Sequence, residues 1–102
     1  MSKVAPHKAH LALAQEFYSR YRARIVKGLA TYGEFVAATD SRCLSHEAME
    51  ECLDIGSYME MLEEKHPSLR GRVQKIRAKA ILLYGELLKL EREEIALGEG
   101  YR

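Results

Sequence analysis

The chain has no tryptophan, two phenylalanines, two prolines and two cysteines in 102 residues. With only Pro6 and Pro67 to interrupt it, long helices are open to it and a proline-rich linker is not. Cys43 and Cys52 are too few for a disulfide framework, which points to a reducing compartment. No apolar run approaches the roughly eighteen residues of a membrane span. The opening "MSKVAPHKAH" carries no apolar core of a secretory signal, so a cytoplasmic protein is expected. Sixteen basic against fifteen acidic residues leave a net charge of +1, which excludes strong non-specific attraction to nucleic acid or acidic lipid. A glycine-rich phosphate loop and a supported Ser/His/Asp or Cys/His constellation are both missing. These absences favour a protein that is not an enzyme.

What is present is helical periodicity. No alternating apolar–polar run of strand type occurs, and the expected class is all-α. The expected architecture is an antiparallel three-helix bundle forming a single helical domain over residues 1–102, with long first and third helices. The first helix is expected over about residues 6–38. Its positions Leu11, Ala14, Tyr18, Tyr21, Ile25, Leu29, Tyr32 and Val36 recur at three and four. Gly28 and Gly33 fall inside that span, and a break near Gly33 would yield four helices. Ser45 is the expected N-cap of a second helix over 46–65, with Leu44 and Met49 as a hydrophobic staple. Cys52 is expected in the core of that helix. Pro67 ends it, because the residue before a proline disfavours helical geometry. The third helix is expected over 68–97, with Gly98 as its left-handed cap.

Charge is sorted by helix. Lys8, Arg20, Arg22, Arg24 and Lys27 make the first basic. The second carries Glu47, Glu50, Glu51, Asp54, Glu60, Glu63 and Glu64. The third begins with Arg70, Arg72, Lys75, Arg77 and Lys79 and ends with Glu91, Glu93 and Glu94. Antiparallel hairpins would set Glu63 and Glu64 beside Arg70 and Arg72. Arg20, Arg24, Arg72 and Lys79 would be the residues of a nucleic-acid surface, although no recognition motif accompanies them.

The second helix is shorter than its neighbours, so apolar ends of the other two would overhang it. A second copy, flipped end for end, would cover them. The expected self-association surface is Leu11, Phe17 and Tyr18 with Ile81, Tyr84, Leu88 and Ile95, giving a homodimer or higher assembly. In the third helix, Leu69, Val73, Ile76, Ala80, Leu83, Leu87 and Leu90 form a seam of coiled-coil spacing for the chain's own bundle. Gly71, Ala78 and Gly85, seven apart, suggest a line of close helix approach.

The sharpest chemical motif is "EEKH", in which Glu63 and His66 form a Glu-x-x-His pair on one helical face. The pair resembles that of ferritin-like proteins, including small encapsulated ferritins with a site between subunits. The resemblance implies a carboxylate-bridged iron or manganese site completed by a carboxylate such as Glu34. Without it no cofactor is expected. The function that follows is protein binding, as an adaptor, assembly factor or regulatory subunit.

Overall fold

The computed structural model describes residues 4–34 and 36–99. Among them are three α-helices, α1 (Val4–Tyr32), α2 (Leu44–Lys65) and α3 (Arg70–Glu99), and no strand. The all-α class holds. The chain divides into two units, Met1–Asp40 and Ser41–Arg102.

In the first unit α1 is a single helix about 44 Å long, by the 1.5 Å rise per residue. It runs through Gly28 unbroken, so one interior glycine does not outweigh the good helix formers around it. It ends at Tyr32 rather than near residue 38. Gly33 takes φ +82 and its N–H donates to the Leu29 carbonyl at 3.0 Å. That is the left-handed cap glycine supplies without a Cβ clash. Val36 is extended and Ala37–Thr39 form one 3-10 turn. The helical spacing of Val36 is therefore a continuation of the pattern without the helix.

The second unit is an antiparallel hairpin. Ser45 is not the cap of α2: the helix begins at Leu44 and Cys43 holds the cap position, its Sγ 3.5 Å from the Ser45 hydroxyl but making no cap hydrogen bond to the helix backbone. At the far end the expectation holds. His66 closes α2 through its N–H to the Leu62 carbonyl (2.8 Å), and Pro67–Leu69 turn the chain. Gly98 lies inside α3 rather than capping it.

The two helices meet along complementary seams. Ser45, Met49 and Cys52 are buried on α2, and Gly56, Met59 and Glu63 continue their line at intervals of four and three. On α3 the line is Val73, Arg77, Ala80, Tyr84, Leu87, Glu91 and Glu94, all buried or half-buried. The alternation of four and three is the coiled-coil period. Val73, 1% exposed, is the most deeply buried side chain in this interface among the described residues, followed by Met49 and Cys52. Removing a valine of that kind from water is worth about 1.5–3 kcal/mol.

This seam shares Val73, Ala80 and Leu87 with the one expected, but then turns the other way. It takes Arg77, Tyr84 and Glu91 rather than Ile76, Leu83 and Leu90. The small side chains Cys52, Gly56 and Ala80 leave a gap there, lined also by Tyr84 and Arg77. Ile76, Leu83 and Leu90 are left on the outside, 44%, 50% and 52% exposed.

Candidate interaction surfaces

Antiparallel pairing carries the C-terminal part of α3 to the N-terminus of α2, where the first backbone N–H groups have no helical partner. The Glu94 carboxylate fills that place. Its Oε2 accepts from the Leu44 N–H at 2.8 Å, and its Oε1 accepts from the Ser45 N–H at 2.9 Å and the Ser45 hydroxyl at 2.6 Å. The Ser45 hydroxyl and these backbone donors hold the Glu94 carboxyl down to about 2. A carboxylate here also answers the positive end of the helix dipole.

His46 makes the second link. Its Nδ1 lies 2.7 Å from Glu91 on α3 and its Nε2 lies 3.2 Å from Glu50, one turn along α2. Ionised carboxylates only accept hydrogen bonds, so the ring can donate to both at once only as the imidazolium, the form this arrangement favours. The hydrogen bond to Glu91 is the main reason its pKa is raised above the usual 6.5. In the sequence Glu91 and Glu94 stand out only as the acidic end of a helix. The available signal is their spacing of three, which puts both on the face that an antiparallel partner's N-terminus must meet.

The hairpin has two outer faces. On one, Leu53 and Gly56 of α2 and Ala80, Ile81 and Tyr84 of α3 line an open groove of about 190 Å³. Tyr84 and Leu88, expected to look outward, are half-buried, while Ile81 and Ile95 are exposed. Residues two positions beyond Leu53 and Ile81 lie about 200° round their helices. Ile55 and Leu83 therefore share the opposite face, with Ile76 and Leu90 on either side of Leu83 along α3. No neighbouring atom lies within 4 Å of a Cβ placed on Gly71 or Gly85, so those glycines serve no close approach inside this chain.

In the first unit, Leu11, Tyr18, Tyr21, Ile25 and Leu29 form an exposed stripe along α1. Phe17, Tyr18 and Tyr21 cluster on it: Phe17 meets Tyr18 edge-on at 5.4 Å and stacks with Tyr21 at 6.3 Å. Arg20 is paired with Glu16 at 3.1 Å, and Arg24 borders a shallow hollow with Lys27 and Tyr32. Arg72 and Lys79 stand exposed on α3, in line and two turns apart.

Glu63 faces α3, where its Oε1 is 4.0 Å from Arg77, further along α3 than Arg70 and Arg72, the arginines expected to meet it. His66 is exposed at the end of α2, and Glu34 lies just past the end of α1 in the other unit. Among the described residues no group of three or more His, Cys, Asp or Glu side chains could hold a metal ion. No helix among them is long and apolar enough to cross a membrane. No protein-family model, curated protein or solved structure matches the chain.

Proposed function

We propose that the chain is a non-catalytic protein-binding helical module of the cytoplasm, an adaptor, assembly factor or regulatory subunit that acts as a homo-oligomer. One observation carries this reading. Large apolar side chains stand exposed in helical register on α1 (Leu11, Tyr18, Ile25) and on the outer face of the hairpin (Ile76, Leu83, Leu90). Isolated exposed leucines are ordinary, but aligned ones make contiguous patches that a monomer rarely leaves in water. The stripe on α1 adds tyrosines with Arg22 and Arg24 beside them, the side chains enriched where proteins anchor one another.

The test is molar mass by light scattering over a hundredfold dilution, with Leu83→Glu alongside. The wild-type chain should exceed the monomer mass at the concentrated end, and Leu83→Glu should lower it. A monomer at every concentration would end the homo-oligomer reading. Leu83 is a better probe than Leu88, because Leu88 is half-buried within the hairpin and its loss would confound folding with association.

A further inference from the structure

The outer face of α3 carries two parallel lines of residues, each repeating every seven positions. One is apolar: Leu69, Ile76, Leu83, Leu90 and Leu97. Leu69 is half-buried at the turn and the other four are exposed. Beside it run Arg72, Lys79, Glu86 and Glu93, all exposed. The order of charge along that second line is two positive, then two negative.

A heptad line of this kind is a helix–helix seam, and the charges flanking it select partner and orientation. Against a parallel copy, Arg72 would meet arginine and Glu93 would meet glutamate. Against an antiparallel copy centred on Leu83, every level agrees. Leu83 meets Leu83 of the second copy, Ile76 meets its Leu90, and Leu69 meets its Leu97. Arg72 then lies beside Glu93 of the second copy, and Lys79 beside its Glu86. Glu86 makes an exposed contact with Lys89, at 3.5 Å, which it can give up or share.

Turning one hairpin end for end brings the acidic end of α3 to the basic end of its copy, while α2 is acidic towards both ends, with Glu47 and Glu51 at one and Glu60, Glu63 and Glu64 beside Lys65 at the other. Ile55 sits near the centre of the two-fold, on the face it shares with Leu83.

We propose that the outer face of the hairpin docks on the same face of a second copy, α3 antiparallel to α3, with Leu83 on the two-fold axis. The two hairpins together form a four-helix arrangement with an isologous interface. This rests on the self-association reading above and names its surface and register.

Charge reversal tests whether this flanking line lies in the interface. Arg72→Glu with Lys79→Glu makes the flanking line wholly acidic, and Glu86→Lys with Glu93→Lys makes it wholly basic. Each double variant alone should associate at least about tenfold more weakly than wild type, because every flanking pair becomes a repulsion. An equimolar mixture of the two should recover the wild-type mass as a heterodimer, which a folding defect in either could not produce. Circular dichroism confirms that each remains helical. Variants that associate like wild type, or that fail to recover on mixing, overturn the antiparallel α3 pairing while leaving self-association standing. A wild-type chain that never exceeds monomer mass overturns both.

Discussion

Glu94 and Ser45 are forty-nine residues apart, yet this one carboxylate ties α3 to the start of α2 through three hydrogen bonds, two from Ser45 and one from the Leu44 N–H. A helix start normally takes its cap from the residue just before it. Here Cys43 leaves the place open and a residue from the other helix fills it. The consequence is pH dependence with two limbs. Glu94 has a folded pKa of about 2 against an ordinary 4.5, so its contribution to stability is present above pH 4.5 and is lost as pH falls towards 2. His46 has a folded pKa above 6.5, so its contribution is present below pH 6.5 and is lost as pH rises through the raised value. The window in which both act is about pH 4.5 to 6.5. Thermal melts across pH should show their maximum there. Glu94→Gln should flatten the acid limb and His46→Gln the alkaline one. Melts of wild type and both variants that rise and fall together with pH would show that these two residues do not set the profile.

At the scale of the element, glycine positions separate a structural requirement from a vacancy. Gly33 has φ +82, where a side chain is strained, so Gly33→Ala should cost about 1 kcal/mol and fray the end of α1. Gly56 sits inside α2 beside the groove, and no atom lies within 4 Å of a Cβ added there. Gly56→Ala should therefore stabilise the hairpin by about 1 kcal/mol, the ordinary helix-propensity gain. Denaturant melts at fixed protein concentration measure both, and a destabilising Gly56→Ala would mean that the helices close more tightly at that level than the groove implies.

Much of this level is legible in the amino-acid sequence alone. Three helices, the Pro67 turn, the buried Cys52 and the absence of strands among the described residues follow from periodicity and breakers. The end of α1 does not, because Val36 keeps the spacing after the backbone has left the helix at Gly33. The α3 seam is half legible. Val73, Ala80 and Leu87 are common to the expected seam and the observed one, but hydrophobicity favours Ile76 and Leu83 over Arg77 and Tyr84. Cys52 and Gly56 of α2 and Ala80, Arg77 and Tyr84 of α3 leave an open groove at that level, a long-range arrangement that the periodicity of either helix does not carry. The Glu94 clasp is a long-range pairing, whereas local cap rules point to Ser45, which serves as a donor to the clasp instead.

For the whole molecule, association and stability are one equilibrium seen twice. The interface between Val73 and Ala80 on α3 and Met49 and Cys52 on α2 is narrow, and much apolar surface on the hairpin's outer face is left exposed. A hairpin with so slender a core gains stability from whatever covers that face. If a second copy covers it, folding free energy includes an association term that grows with protein concentration, by about 1.4 kcal/mol per tenfold once the partner exceeds its dissociation constant. The melting temperature of the wild-type chain should thus climb over a hundredfold rise in concentration. In Leu83→Glu it should stay level, since the substitution removes the term without touching the α2–α3 seam. A scan at constant pH near 5.5, roughly midway through the window in which both Glu94 and His46 are engaged, keeps the clasp constant while concentration varies. Parallel climbs in wild type and Leu83→Glu would move the association off this face, to the exposed stripe of α1. A level wild-type curve would leave the hairpin to stand on its own seam.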